Sequence, residues 1–455
     1  MTLKIHNTMS RQKEVFQPVD PGHVRLYVCG PTVWDFAHIG NARPVVVFDT
    51  LVRLLRRQYP KVTYARNITD IDDKIMKKAA EEGMTVEAVS EKFAAIYNED
   101  MAMLGALPPD IAPRATEHMP GMIRMIERLV EAGHAYAAQG HVLFNVPSMA
   151  DYGRLSGRNR DDLIAGARVE VAPYKKDPAD FVLWKPSSAD QPGWESPWGR
   201  GRPGWHLECS TMIEEHLGDT IDIHGGGQDL IFPHHENEIA QSTCAHGGKL
   251  FAKYWMHNGY VVVEGEKMSK SLGNFFTVHD LIAEHPGMAI RLALLSAHYR
   301  QPLDFTADGI RAAKKQLDRW YRLLGDLPHE RGEVPEPVIA ALEDDLNTPQ
   351  AIAEVNAIAN TATKADERDR SKIIGQLAAA IDLLGLTTDL ETWRFGEGHD
   401  GVTSMDEAAA QQLLEDRQAA RKAKDFPRAD EIRDKLKEGG YLVEDTPEGP
   451  KLRRI

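Results

Sequence analysis

Apolar residues crowd into residues 24–29, a run too short for a helix and closed by the turn pair Gly30-Pro31. That predicts a buried strand. Over residues 39–59 the apolar positions Val45, Phe48, Leu51, Val52 and Leu55 recur at helical spacing, which predicts a helix with one buried face. Residues 61–66 then return to a strand pattern. A strand, a helix and a second strand in that order suggest a parallel, doubly wound sheet. Asn67-Ile68-Thr69-Asp70 is expected to cap a further helix from residue 71 to about 82.

The pattern breaks over residues 116–200, where strand-like residues 142–146 sit among many Gly and Pro with Trp184, Trp194 and Trp198. This stretch is expected to be a subdomain inserted between two halves of the sheet domain, residues 1–115 and 201–304. Residues 305–395 are almost purely helical in pattern, with Leu317, Trp320, Leu323 and Leu324 on one face, and predict a helical bundle. A linker rich in Gly, Thr and Asp follows over residues 387–403. Residues 400–455 begin a helix at Asp406 and end in a small hairpin, 441–444 with 450–454. The expected class is α/β: a Rossmann-type catalytic domain with an insertion, then an α-helical bundle, then a small mixed α/β domain. No fixed-period repeat or low-complexity tract is visible.

A chain of 455 residues, 42% of them apolar, can bury several cores. The 54 Lys and Arg are outnumbered by 68 Asp and Glu, for a formal net charge of −14, so any nucleic-acid contact must come from local patches. One candidate patch lies near the C-terminus: Arg417, Arg421, Lys422, Arg428, Arg433 and Lys435, with Lys451 on the last strand. Acidic residues interleave with it, so by charge alone it reads as a solvated face. Three cysteines make no disulfide framework. No apolar run is long enough to span a membrane and no signal-peptide core opens the chain, so a cytoplasmic protein without a membrane segment is expected.

Candidate chemistry sits at four places. His38-Ile39-Gly40-Asn41 marks a strand-to-helix junction, where unpaired N–H groups and the positive end of the helix dipole suit phosphate. His38 can donate to a phosphate oxygen, and Gly40 lets a nucleoside lie against the backbone. Lys267-Met268-Ser269-Lys270-Ser271, flanked by Gly265 and Gly273, can aim two ammonium groups at one pyrophosphate. His224-Gly225-Gly226-Gly227-Gln228-Asp229 is a Gly-rich turn whose Asp229 can accept from a ribose hydroxyl or an amino group. Cys29, Cys209, His234 and Glu238 form a credible tetrahedral zinc set, the last two sharing one helix face. Two buried cysteines and a helical polar pair are the bland alternative, and the residues alone leave both open.

The paired His38–Asn41 and Lys267–Ser271 strings look like the two nucleotide-binding signatures of class I aminoacyl-tRNA synthetases. The strings YVCGPTVWDFAHIG, GWHLECS, GGGQDLIFPHHENEIAQS and GEKMSKSLGN resemble the cysteinyl-tRNA synthetases, and the likeness spans essentially the whole chain. The resemblance implies a ligase that activates L-cysteine with ATP and magnesium, then transfers it to the terminal ribose of its tRNA. It implies His38, Lys267 and Lys270 as the catalytic residues, and His38, Gly40, Asn41, Asp229, Lys267 and Lys270 around ATP. It implies one zinc ion per chain on Cys29, Cys209, His234 and Glu238, gripping the substrate sulfur and so rejecting serine. Trp205, His224 and Asp229 are expected at the substrate, the first two as an aromatic wall. Residues 400–455 become an anticodon-binding module, and a monomer is expected. One departure stands out: the family's first signature usually ends in a second His, where this chain has Asn41. Rival readings are a ligase joining cysteine to an amino sugar, which should lack the C-terminal module, and a non-catalytic RNA-binding derivative, which the intact motifs disfavour.

Overall fold

The computed structural model describes residues 2–158, 172–263, 265–268, 274–326, 332–390, 393, 406–423, 425–439, 441–446 and 449–454. A hairpin of β1 (Lys4–Asn7) and β2 (Gln12–Val15) precedes β3 (Val24–Val28), α1 (Ile39–Gln58) and β4 (Val62–Arg66). Helices α2 (Asp73–Glu82), α3 (Val86–Met103) and α4 (Met119–Glu131) follow. Strands β5 (Ala135–Ala138), β6 (His141–Phe144), β7 (Phe181–Pro186) and β8 (Gly201–Pro203) make an antiparallel sheet of their own. The central sheet resumes through α5 (Trp205–Leu217), β9 (Ile221–Gly227), α6 (Glu236–Ala245) and β10 (Ala252–Asn258).

The central sheet has the order β10-β9-β3-β4 and every pairing in it is parallel. Strand β9 is buried on both faces along nearly its whole length, as a central parallel strand must be. The chain runs from β3 outward to β4, then returns to the opposite side of β3 as β9. The order therefore reverses between β3 and β9, and the crevice beyond their C-terminal ends is where such sheets bind ligands.

Strands β11 (Val261–Val263), β12 (Glu266–Lys267) and β13 (Leu303–Asp304) form a small third sheet. Helices α7 (Val278–Glu284) and α8 (Gly287–Leu295) lead to the bundle α9 (Ala307–Asp326), α10 (Glu336–Glu343), α11 (Thr348–Lys364) and α12 (Glu367–Leu383). One apolar core runs from Val24 and Leu26 through α1 to Leu317, Trp320 and Val355, so sheet and bundle share an interior. The C-terminal elements α13 (Glu407–Lys422), α14 (Phe426–Glu438), β14 (Tyr441–Thr446) and β15 (Gly449–Arg454) close over a separate cluster of Ala410, Ile432, Leu436 and Tyr441. Among the described residues no helix is long and apolar enough to cross a membrane.

One expectation shifts. The helix expected from residue 71 starts at Asp73, because the Asp72 side chain takes the cap by accepting the Lys74 N–H at 2.8 Å. Residues 67–70 are engaged elsewhere: Asn67 Oδ1 accepts the Gly30 N–H and the Asp70 carboxylate accepts from Thr116. The linker expected over residues 387–403 lies mostly outside the described residues.

Two buried carboxylates tie bundle to sheet. Asp49 on α1 receives Arg291 Nη2 at 2.5 Å and Arg53 Nε at 2.8 Å, while Arg291 also donates to the carbonyls of Leu384 and Leu104. Asp345 receives the His6 N–H at 2.7 Å, the Tyr299 hydroxyl at 2.8 Å and Arg300 Nε at 2.8 Å. Asp345 and Leu346 hold φ of 61° and 52°, a left-handed pair that those bonds and the burial of Leu346 keep in place. Removing one member of a buried ion pair leaves the other unpaired, which costs about 3–5 kcal/mol. Asp49→Ala is therefore expected to lower the stability of the full-length chain by about 3 kcal/mol or more, read from denaturant melts; a loss below about 1 kcal/mol would show the pair to be dispensable.

Candidate active site

The crevice at the switch point is a cavity of about 550 Å³. Cys29, one residue past β3, is held to β9 by its N–H on the Gly225 carbonyl at 3.1 Å. Cys209 lies on the first turns of α5, and His234 and Glu238 sit four apart where the turn after β9 enters α6. The four converge: their ligand atoms all lie within 4.8 Å of one another. Cys29 Sγ is 3.8 Å from Cys209 Sγ and 3.6 Å from Glu238 Oε1, and Cys209 Sγ is 3.6 Å from His234 Nε2. A tetrahedral ion bonded at about 2.3 Å to sulfur and about 2.0–2.1 Å to nitrogen or oxygen would set these separations at roughly 3.8 and 3.5 Å. His234 Nε2 to Glu238 Oε1, at 2.9 Å, is tighter, as befits a hydrogen-bonded ion pair.

Cys29 and Glu238 also lie close to His224 and His235, as a second possible quartet. Its geometry suits support better than ligation. His224 Nε2 bonds Glu238 Oε2 at 2.7 Å, fixing the carboxylate so that Oε1 faces the sulfurs. His235 Nδ1 bonds His257 at 2.7 Å, and its Nε2 comes to 3.2 Å of Cys29 Sγ. His206 Nδ1 meets His234 Nδ1 at 2.9 Å, orienting the ring from behind.

Electrostatics favour anionic donors here. Burial works against charge on Glu238, yet His224 and His234 outweigh it and hold the carboxyl down at about 2. Burial works against His234 as well, and Glu238 with Cys209 raises it to about 10. The hydrogen bond from Cys29 draws Cys209 down against its burial, whereas burial pushes the Cys29 thiol well up. His206 and His257 are driven down to about 3 by burial and by neighbouring rings, so both stay neutral. A dry pocket that gathers a carboxylate, a thiolate and one imidazolium suits a dication, which would replace the proton.

His38 caps α1, and the Asn41 side-chain oxygen accepts the His38 N–H at 3.1 Å. The residue standing in place of a second His is thus used to close the helix start. Both line the cavity with Gly40. A Cβ on Gly40 would come to 2.8 Å of the His38 ring and 3.4 Å of the Met268 methyl, so the two distant signatures meet there. Lys267 pairs through its backbone with Val262; Lys270 lies outside the described residues. Trp205 stacks on His234 with centroids 4.0 Å apart and lines the cavity, as does Asp229. His224 sits behind Glu238, fully buried and stacked on Trp255 at 4.6 Å. The stretch expected as a Gly-rich turn is instead the end of β9, with only Gln228 and Asp229 beyond it, and its glycines have local causes: a Cβ at Gly225 would overlap the Phe48 ring, and one at Gly226 would reach 3.0 Å from His235.

Sequence reasoning missed His206, His235 and His257 as the shell around the donors. Trp-His and His-His dipeptides flank the motifs, but nothing in their spacing says which ring turns inward. It also missed the buried Thr69–Glu208 bond at 3.1 Å, which ties the end of β4 to α5 beside Cys209.

Comparison with known proteins agrees with this fold. Residues 15–315 match the family model described as the tRNA synthetases class I (C) catalytic domain, residues 337–387 a DALR domain, and 407–453 a cysteinyl-tRNA ligase anticodon binding domain. Among solved structures, the Mycobacterium tuberculosis methionyl-tRNA synthetase with methionyl-adenylate matches at TM-score 0.55 and 15% identity, covering 80% of this chain and 90% of that one. An Agrobacterium radiobacter LeuRS–tRNA–LeuAMS complex matches at 0.59 and 13%, covering 82% and 84%. The fold is that of a class I aminoacyl-tRNA synthetase. The chain is 61% identical to the cysteine--tRNA ligase of Rhodospirillum rubrum, over 100% of both chains, and 58% identical to that of Parvibaculum lavamentivorans, over 100% of this chain and 98% of the other. The chain belongs to the cysteine--tRNA ligase family.

Gly30 tests how tightly the site is built. Any Cβ there would overlap the main-chain carbonyl of Asn67, whose side chain accepts the Gly30 N–H at 2.8 Å. Backbone cannot yield as a side chain can, so Gly30→Ala is expected to cost about 1–3 kcal/mol or more; an unchanged melting temperature would contradict the packing.

Proposed function

We propose that this chain activates L-cysteine as cysteinyl-adenylate and transfers it to the terminal ribose of its tRNA, selecting cysteine through a zinc ion. The observation carrying this reading is the Cys29, Cys209, His234 and Glu238 quartet at a cavity that also holds the His38–Asn41 helix start. The donor set fits zinc: two sulfurs, one imidazole and one carboxylate, with His206 and His224 holding the rings and carboxylate from behind. When bound there, zinc supplies an affinity for thiolate sulfur that the harder, protonated serine hydroxyl does not match.

The chain's own residues supply orientation and charge. The start of α1 directs its N–H groups at ATP phosphate, and His38 donates as negative charge builds. Asp229 accepts from the ribose or the amino group. The cysteine carboxylate attacks the α-phosphorus, an O–P bond forms, and pyrophosphate leaves under neutralisation by Lys267, Lys270 and the magnesium that accompanies ATP. A ribose hydroxyl of the tRNA then attacks the acyl carbon and AMP departs. Trp205 covers His234 on the substrate side. Holding the partners in line does most of the work. The 1–115 and 201–304 segments perform activation, 116–200 is a connective subdomain, and 305–395 carries the bundle. Residues 400–455 bind the anticodon, which disfavours an amino-sugar acceptor. The enzyme works as a cytoplasmic monomer.

ATP–pyrophosphate exchange should depend on cysteine and be at least about 100-fold weaker with serine, since a metal-bound sulfur discriminates where a shape-matched pocket does not. Cys209→Ser should lose the bound zinc, read by elemental analysis, and weaken cysteine activation. A variant that keeps one zinc per chain would overturn the ligand set. Removing residues 400–455 should spare exchange and reduce charging of tRNA by about 10-fold or more, because phosphate and base contacts are lost together. Equal charging would overturn the anticodon role.

A further inference from the structure

Two stretches meet at the start of α1: residues 36–39, which lead into it, and residues 275–279, which lie just beyond the second signature. Main chain laces them together. The Ile39 N–H donates to the Phe276 carbonyl at 3.0 Å and the Val278 N–H to the Ala37 carbonyl at 2.8 Å. His38 and Thr277 face each other between those bonds as an antiparallel bridge. The Phe275 ring meets the His38 ring edge-on, with centroids 5.4 Å apart. The segment after the second signature thus sets both the backbone and the ring of the residue that the reading above aims at phosphate.

One residue further on, His279 holds that segment in place. It lies in the first turn of α7 with its side chain half exposed, yet its ring is pinned on two sides. It stacks on Phe36, with centroids 4.8 Å apart and planes 23° from parallel. Its Nδ1–H donates to Asp100 Oδ1 at 3.1 Å, since a carboxylate only accepts. Phe36 in turn meets Phe93 edge-on at 5.6 Å. Phe93 and Asp100 are both buried on α3, and their spacing, two helical turns, puts them on one face. That face of α3 clasps the Phe36–His279 stack from both ends.

Asp100 is a costly residue for this place. Its side chain is 2% exposed, and its second oxygen finds no hydrogen-bond partner among the described residues. Burial pushes its carboxyl up, His279 draws it back down, and Glu99 and Asp280 add like charge. A buried carboxylate satisfied on one oxygen by a half-exposed imidazole contributes little to stability. What it secures is the position of the His279 ring. Neither side chain lines the cavity. We propose that His279 and Asp100 are positioning residues for the activation step, holding residues 275–278 against the start of α1 so that His38 meets the phosphate in line. This rests on the ligase reading given above.

The test separates kcat from KM in the full-length enzyme. A small misplacement of a reacting group is costly, so His279→Ala should lower kcat for cysteine-dependent pyrophosphate exchange by about 10-fold or more. The KM for cysteine and the zinc content should stay within about twofold of the parent, because the four donors are held by other elements. His279→Arg, whose planar fork can both stack on Phe36 and donate to Asp100, should recover most of the loss. Asp100→Ala should match His279→Ala, and the double variant should be no slower than either, since both act through one contact. An unchanged kcat in His279→Ala, with or without a lower melting temperature, would overturn the proposal. So would a loss that His279→Arg does not recover, additive losses in the double variant, or zinc content falling along with kcat. Absence of cysteine-dependent exchange in the parent enzyme would instead refute the ligase reading itself.

Discussion

Everything at the site hangs on the side-by-side pairing of β3 and β9. The two strands come from segments far apart in the chain, and their register brings Tyr27 opposite His224 and Val28 opposite Gly225. The Cys29 N–H on the Gly225 carbonyl extends that pairing past the strand end. Cys29 is thereby delivered to Cys209, His234 and Glu238, which arrive on the elements flanking β9. The same reversal of strand order opens the crevice that α1 faces with His38 at its start. A register shift of one residue would turn Cys29 to the other face of the sheet and dissolve the quartet.

Buried charge is concentrated around that crevice, and each case is balanced differently. Glu238 is shared between His224 and His234, so one carboxylate orients two rings. Asp49 and Arg291 satisfy each other and pin the bundle to α1. Arg43, fully buried in the second turn of α1, has no carboxylate partner among the described residues. It donates to four main-chain carbonyls, those of Gly259, Tyr260, His298 and Gln301. It thus fastens the cavity wall at Gly259 and Tyr260 to the segment that leads into the bundle. Burial lowers this guanidinium to about 10, which still leaves it charged at neutral pH.

The architecture was legible in the sequence where apolar period and local turn chemistry agreed. Residues 24–29, 39–59 and 61–66 could be read as strand, helix and strand, because each has an apolar pattern and a clear terminator, although α1 is buried on nearly every side and not on the one face its period suggested. The start of α2 was not, since Asn67, Asp70 and Asp72 are all competent caps and long-range bonds to Gly30 and Thr116 decide among them. The glycines at the end of β9 were legible as close approaches, but not as strand residues approaching Phe48 and His235. The histidine shell escaped for a plainer reason. A buried His carries no pattern along the chain, and its partner is set by packing alone.

Taken by itself, the order of residues determined which atoms this protein has for its chemistry: the soft donors, the two signature strings, and the apolar periods that build a wound sheet and a bundle. These follow from local preferences and from side-chain chemistry, which need no neighbour to be stated. Only the tertiary structure decided that Oε1 of Glu238 faces the Cys29 sulfur while Oε2 takes His224, and that Asn41 closes the helix. Those depend on distances of a few ångströms between segments hundreds of residues apart, which packing of a shared core sets and no local pattern encodes.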